Sequence, residues 1–280
     1  MIPVEFLVFF FGIAAALSWG AGDFSGGLAS KRANIYSVVI ISQATGVLIL
    51  SSLAYYFSES IPPLNTIAWA LVAGTFGCIG ILSLYRGLSQ GKMGIVAPVS
   101  AVTAVTVPVI YSGFNEGMPA VNQAIGFVIA IAGVWLIASD GKTKINPNEL
   151  SLPLFAGICF AAFFISIDHF DEASLLWPLT FARLTAMAIL LCFIGLTGPV
   201  SFPSKSVLPM IIVAGILETG GNMFFTLASQ AGRLDIATVT SSLYPGGTVL
   251  LAWIILKEKL APRQWVGVAA ALVAIVLISA

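Results

Sequence analysis

The stretch AGILETGGNMFFTLASQAGRLDIATVTS, residues 214–241, repeats an earlier stretch of the same chain at a constant shift of 141 positions. The earlier copy is AGTFGCIGILSLYRGLSQGKMGIVAPVS, residues 73–100, and glycine recurs at matching places, as in Gly74 and Gly215. A constant shift means that the two copies align over this length without an insertion or deletion. The sequence therefore predicts a tandem duplication of one structural unit.

The composition predicts a helical protein that crosses a membrane many times. Hydrophobic residues make up 59% of the 280 residues and charged residues only 9%, unlike an ordinary soluble domain. A helix needs roughly 20 mostly apolar residues to cross a bilayer. Ten such runs lie near residues 4–25, 35–57, 66–89, 94–114, 119–139, 151–168, 175–197, 206–230, 234–256 and 262–280.

Five runs fall in each predicted unit, 1–140 and 141–280. An odd number of crossings turns the second unit upside down in the membrane relative to the first, an arrangement found in many transporters. We therefore expect an all-α integral membrane protein of ten transmembrane helices, built as two inverted five-helix repeats. A binding site is expected where the repeats meet, and an inner or plasma membrane is the expected location.

Several function classes fit poorly. The formal net charge is zero, which indicates no nucleic-acid partner. The three cysteines lie inside apolar runs without metal or redox spacing, so we expect no metal and no cofactor. His169 is the single histidine and is expected in a solvated connection. An intramembrane enzyme is disfavoured because no Ser/His pair and no phosphate-binding loop are apparent.

Glu218 stands about a dozen residues into the run 206–230, which holds no other charged residue. An ionisable group near the middle of a membrane costs roughly 2.5–3.5 kcal/mol on insertion scales, so it is rarely kept without a partner or a function. Asn222 follows one helical turn later on the same face. We expect Glu218 either to exchange a proton between two access states or to be a structural carboxyl paired with an arginine.

Arg183 lies inside the seventh run, where a guanidinium needs a carboxylate or backbone carbonyls as partners. Glu218 is its predicted partner. In the repeat, Arg183 corresponds to Gln43, so one half presents a cation and the other an amide. Arg183 is expected to recognise a substrate carboxylate or phosphate, or alternatively to extend its charge to the nearer interface.

Asp23 and Asp168 match at a shift of 145 and are expected to end the first helix of each half, at opposite membrane faces. They are either gate contacts or solvated carboxylates, which an interface tolerates. Trp19, four residues before Asp23, is expected either to anchor its helix at the interface or to face the cavity.

Pro98, Pro108 and Pro245 are expected to interrupt the fourth and ninth helices. Each proline removes one backbone donor and frees a carbonyl, which can kink a helix and expose polar backbone to a cavity. Tyr244 together with Pro245 is the hinge or pathway candidate of the second half. Proline is also common in membrane helices that have no transport role.

The loop charges predict an orientation. By the rule that Lys and Arg accumulate on the cytoplasmic side, both termini are expected outside. Arg233 lies on an even-numbered connection, whereas the odd-numbered connections carry ten basic residues, Lys31, Arg32, Arg86, Lys92, Lys142, Lys144, Lys205, Lys257, Lys259 and Arg263.

Each unit also carries an acid, a Gln and a Gly ahead of its last helix, in the sets Glu116, Gln123, Gly126 and Glu258, Gln264, Gly267. With these sets, SWGAGDFSGGLASKR (18–32) and SSLYPGGTVLLA (241–252), the chain resembles the ten-helix duplicated branch of the EamA-type drug/metabolite transporter superfamily. The resemblance implies an alternating-access carrier, commonly an exporter of amino acids or other small metabolites. It also implies cytoplasmic termini, contrary to the loop charges.

The expected function is that of a secondary transporter of a small polar or amphipathic metabolite. It is expected to be an exporter, and one form of this hypothesis couples export to protons. The alternatives are a sugar- or nucleoside-type facilitator or uptake permease, and a membrane subunit that does not transport. The expected partners are the solute, the lipid bilayer and protons, with the protein as a monomer or homodimer.

Overall fold

A computed structural model describes residues 4–90, 93–115, 120–138, 147–171, 173–257 and 261–279, and within these ranges the regular structure is helical throughout. The helices are α1 (Val4–Ser30), α2 (Ile35–Tyr56), α3 (Leu64–Gln90), α4 (Met93–Asn115), α5 (Val121–Ala138), α6 (Pro147–Asp168), α7 (Leu176–Thr197), α8 (Leu208–Ala231), α9 (Leu234–Ser241), α10 (Tyr244–Leu256) and α11 (Pro262–Ser279). The predicted boundary at 140/141 lies outside the described residues, as do Glu116 and Glu258.

Every predicted apolar run contains a helix, and the ninth contains two. By length and hydropathy, seven segments of the described chain can cross a membrane: 6–30, 35–56, 64–90, 151–168, 176–197, 208–231 and 234–256. The protein is therefore all-helical with at least this many candidate spans, and ten crossings stay a prediction. Large apolar side chains such as Leu48 and Leu196 are exposed on the outside of the bundle, where lipid replaces water.

The structure corrects the prediction that Pro98 and Pro108 interrupt the fourth helix. Helix α4 continues through Pro98 and Pro108, because neighbouring groups in a membrane protein can compensate for the one donor that a proline lacks. Pro245 instead lies in the first turn of α10, where the missing N–H costs no hydrogen bond. Ser242 and Leu243 separate α9 from α10, so the ninth run is broken directly before Tyr244.

The two halves pack through equivalent helices. Helix α1 packs on α8, and α3 packs on α6. Because the repeat relates α1 to α6 and α3 to α8, these are the same contact with the halves exchanged. Helix α2 packs on its own counterpart α7, and α5 packs on its counterpart α11. The interface between the halves thus has the exchange symmetry of a duplicated unit.

Glycine also allows close approaches between helices of the two halves. A Cβ atom added to Gly215 in α8 would lie 2.8 Å from the carbonyl oxygen of Ser42 in α2. At the equivalent Gly74 in α3, a Cβ would collide with the carbonyl oxygen of Ala182 in α7. Small residues permit such backbone contacts between membrane helices, and here they bring α3 and α8 against the central pair α2 and α7.

Candidate functional site

A cavity lies between the halves and is bordered by helices α1, α2, α3, α6, α7, α8 and α10. Its volume is about 70 Å³, counted over the positions that the centre of a water molecule can take, which is more than a single water molecule needs. Its polar lining side chains are Trp19, Asp23, Ser42, Gln43, Tyr85, Arg183, Glu218, Asn222 and Tyr244. The structure therefore brings together the six predicted pathway residues and one predicted gate residue, Asp23.

Arg183 is held by its own counterpart in the repeat. Its Nη1 donates a hydrogen bond of 2.8 Å to Oε1 of Gln43. The arginine is only 4% exposed, and its Nε has no hydrogen-bond partner. Gly46 makes room for it, because a Cβ there would lie 2.6 Å from Cδ of Arg183. Since equivalent positions of α7 and α2 meet here, this contact lies near the axis that relates the halves.

The predicted ion pair between Arg183 and Glu218 is not formed. In the described part of the chain no contact of 4 Å or less joins the two charged groups, although they interact electrostatically at longer range. Nη1 of the guanidinium is instead directed at Gln43. The depth of Arg183 along its helix could be predicted from the sequence, but the direction of its long side chain depends on the neighbouring residues.

Glu218 meets a second acid instead. The groups that interact with its carboxyl, besides Arg183, are Asp23 of α1 and Tyr85 of α3. Oε1 of Glu218 and the hydroxyl of Tyr85 are both buried without a hydrogen-bond partner. Coulomb repulsion disfavours ionisation of both neighbouring carboxyls at once. A single proton bound by the two carboxyls would remove this repulsion.

Two glycines of α1 create the space for these side chains. A Cβ on Gly22 would lie 2.8 Å from Oε1 of Glu218, and a Cβ on Gly26 would collide with the ring of Tyr85. The two glycines are one helical turn apart and share a face. That face of α1 thus admits polar side chains from α3 and α8 together.

Asp23 does not end the first helix, contrary to the prediction. Helix α1 continues to Ser30, and Asp23 is 3% exposed inside it. Its counterpart Asp168 does end α6, where it accepts a hydrogen bond of 2.7 Å from Ser229, and it does not line the cavity. Equivalent positions have therefore diverged, with one acid in the cavity and the other at a helix end.

An aromatic wall closes another side of the cavity. Nε1 of Trp19 donates a hydrogen bond of 2.9 Å to Oδ1 of Asn222, and the indole stacks on Phe164 with ring centroids 5.5 Å apart. At 6% exposure Trp19 faces the cavity, and anchoring at an interface does not describe it. Trp19 and Phe164 are equivalent at the shift of 145, so a second pair of counterparts meets between the halves.

Tyr244 begins α10 directly after the helix break and is 4% exposed, with its hydroxyl lacking a hydrogen-bond partner. Its ring meets Trp19 edge-on at 6.3 Å. One turn later, Thr248 donates a hydrogen bond of 3.0 Å to the carbonyl oxygen of Gly20. The break therefore positions a phenol against α1 at the cavity.

Sequence reasoning did not single out Tyr85, which lines the cavity, or Glu59. His169 lies in the connection after α6, as expected, but it is half-buried there, and its ring stacks on Trp69 with centroids 4.1 Å apart. Among the described residues, no cluster of His, Cys, Asp and Glu is placed to hold a metal ion.

Comparisons with known proteins place this geometry in a family. A protein of Methanocaldococcus jannaschii, itself uncharacterised, is 27% identical over 128 residues, which are 45% of this chain and 93% of that protein. A crystal structure with 16% identity superposes with a TM-score of 0.76, covers 96% of this chain and 95% of its own, and shows the fold alone. The model of the EamA-like transporter family matches twice, at residues 6–139 and 149–280. The chain is a multi-pass membrane protein that belongs to the EamA-like transporter family.

Proposed function

We propose that the protein is a secondary transporter that moves a small polar or amphipathic metabolite across the cell (inner) membrane by alternating access. The observation that carries the proposal is the cavity between the halves, into which both halves direct charged or polar groups. Intramembrane ionisable residues mark solute and ion pathways in many transporters. Ten helices in two inverted repeats, 1–140 and 141–280, would rock about this cavity.

In the proposed cycle, different walls of the cavity bind different parts of the solute. Arg183 offers its free Nε to an anionic or hydrogen-bond-accepting group. The aromatic wall around Trp19 holds the apolar part of the solute, and Asn222 keeps the indole in place through its hydrogen bond. Tyr244, which follows the break between α9 and α10, would move with the opening and closing of the pathway.

We further propose export driven by proton entry, with the acids Glu218 and Asp23 as the proton site. Because repulsion disfavours two negative charges on this carboxyl pair, the pair takes up a proton from one side and releases it to the other when the cavity reopens. Solute and proton would then alternate in the same cavity. The competing function is a facilitator or uptake permease for a neutral solute, which the many aromatic lining residues favour.

The test uses purified protein in proteoliposomes, with a solute first found by a thermal-shift screen of metabolites. Transport should move protons in a solute-dependent way, and Glu218→Gln and Asp23→Asn should each abolish that movement. Asp168→Asn is the matched control, because its carboxyl occupies the equivalent position outside the cavity.

Solute movement without proton movement would favour the facilitator instead. Unchanged pH-dependent transport by Glu218→Gln would refute the proton site. A solute that binds but never crosses the membrane would indicate a subunit without transport.

A further inference from the structure

The start of helix α7 has no capping side chain of its own. Leu175 occupies the position before the helix and forms no side-chain hydrogen bond to it. The first backbone N–H groups of a helix need acceptors, and a carboxylate is the strongest acceptor for them. The missing cap of this second-half helix is supplied by the first half.

Glu59, in the connection between α2 and α3, is the residue that supplies it. Its carboxylate accepts hydrogen bonds of 2.9 Å from the N–H groups of Leu176 and Trp177. The carbonyl oxygen of Glu59 also accepts one of 2.8 Å from Nε1 of Trp177. Ser58, with a left-handed φ of 52°, turns the chain at the end of α2 directly before Glu59.

A second contact between the halves lies at the same membrane face. Trp69 of α3 stacks on His169, which follows α6, and Nε2 of His169 lies 3.3 Å from the hydroxyl of Tyr111 in α4. Nδ1 of the histidine is 2.8 Å from the carbonyl oxygen of Ile165, which fixes the ring. We call the Glu59 and His169 contacts together the clasp, and the face that carries them the Glu59 face.

The opposite face is built differently at the corresponding place. Helix α2, the counterpart of α7, is capped by its own Asn34, whose side chain accepts a hydrogen bond of 2.9 Å from the N–H of Tyr36. The positions that correspond to Glu59 at shifts of 140 and 141 are Pro199 and Val200, and neither carries a carboxylate. The Glu59 contact thus has no counterpart in the second half.

The clasp lies near enough to the cavity to affect whether the cavity opens at the Glu59 face. Trp177 precedes Arg183 by six residues on the same helix, or roughly 9 Å along its axis. A movement of α7 relative to the connection between α2 and α3 must break the hydrogen bonds to Glu59. We infer that Glu59 is a latch that holds the cavity closed at the Glu59 face, and that its release from the start of α7 opens that face. The inference rests on the proposed alternating access but not on any solute or coupling ion.

A cysteine of the protein provides the test. Cys78 lines the cavity and is 1% exposed, so a membrane-impermeant thiol reagent reaches it only through an open face. In a background with Cys159→Ala and Cys192→Ala, a charged methanethiosulfonate is applied to each face of reconstituted vesicles in turn. A variant that also carries Cys78→Ala measures the background.

Glu59→Ala should raise the labelling rate of Cys78 from the Glu59 face about tenfold or more, because it removes hydrogen bonds to a charged group. Glu59→Gln keeps one acceptor oxygen and should give a smaller rise of a few-fold. The matched control is Asp171→Asn at the same face. Asp171 accepts a hydrogen bond of 2.9 Å from Ala173 within its own connection, and its variant should label like the parent.

The latch is overturned if folded Glu59→Ala labels as slowly as the parent from that face, or if Asp171→Asn accelerates labelling equally. If Glu59→Ala does not fold, Glu59→Gln decides, and an unchanged rate again overturns the inference. Labelling needs no solute, so its result is independent of the transport assay. Latch-dependent labelling without solute transport would refute the proposed transporter while leaving the latch in place.

Discussion

At the scale of single residues, the most informative groups are the buried polar atoms without partners. Among the described residues there are seven such atoms, and four of them belong to cavity-lining side chains: Nε of Arg183, Oε1 of Glu218 and the hydroxyls of Tyr85 and Tyr244. An unsatisfied buried polar atom costs on the order of 1–3 kcal/mol, and proteins rarely keep several without a reason. Water or a polar solute in the cavity would supply such partners, so these four side chains are the first candidates for contact with a solute.

Gln43 should contribute to stability through its hydrogen bond to Arg183. Gln43→Leu leaves Nη1 of the buried guanidinium without its 2.8 Å acceptor, and we expect a loss of about 1–3 kcal/mol. Gln43→Glu keeps an acceptor and adds an opposite charge, so it should retain the stability of the parent. The thermal unfolding midpoint of each purified variant in detergent measures the difference. Equal midpoints for the Leu variant and the parent would contradict the prediction.

Gly22 should matter for transport more than for folding. In Gly22→Ala the new Cβ would meet Oε1 of Glu218 at 2.8 Å, and the end of a flexible side chain can move aside at little cost. We expect a normal unfolding midpoint but proton-coupled transport reduced severalfold, because Glu218 is displaced from Asp23. A variant that is unfolded, or one that transports normally, would show that the contact with Glu218 is not the constraint.

At the scale of helices, the sequence predicts positions along the axis much better than directions around it. The apolar runs locate the helices, because the bilayer demands about 20 apolar residues per span. Asp23 was expected at a helix end because it lies near the end of an apolar run, and a carboxylate at the membrane interface costs little free energy. Inside the structure, Gly22 and Gly26 create a polar chamber that tolerates Asp23, and no periodicity of α1 alone reveals the side chains of α3 and α8 that fill it.

The glycines between helices give a prediction at this scale. Gly74→Ala and Gly215→Ala place a Cβ against a neighbouring helix backbone, and overpacking costs about 1–3 kcal/mol. That cost exceeds the gain in helix propensity of up to about 1 kcal/mol, so both variants should unfold at lower temperature. Gly195→Ala in α7 is the control, since no atom of a neighbouring helix lies within 4 Å of its added Cβ. Its midpoint should be unchanged or higher, and equal losses in all three would contradict the argument.

At the scale of the whole molecule, symmetry and its loss have different roles. Counterparts meet where the halves touch, as Gln43 meets Arg183 and Trp19 meets Phe164. The duplication was predictable from the constant shift, and these meetings follow from it. The departures from this symmetry were not predictable. Glu218 corresponds to Gly77, which lines the same cavity without a charge. Each half therefore contributes different chemistry to one site, and neither half has a complete site.

That division predicts how the chain behaves when it is cut. Fragments 1–140 and 141–280 leave each other's packing faces bare, because α1, α2 and α3 pack on α8, α7 and α6. Co-expressed with different tags, the two fragments should copurify and restore transport, whereas either alone should transport nothing. Two differently tagged copies of 1–140 are the matched control, since they lack both Arg183 and Glu218 and should not transport even if they associate. Transport by paired first halves would mean that the site does not need the acid and the arginine of the second half, and fragments that purify separately would mean that the connection, rather than the packing, holds the halves together.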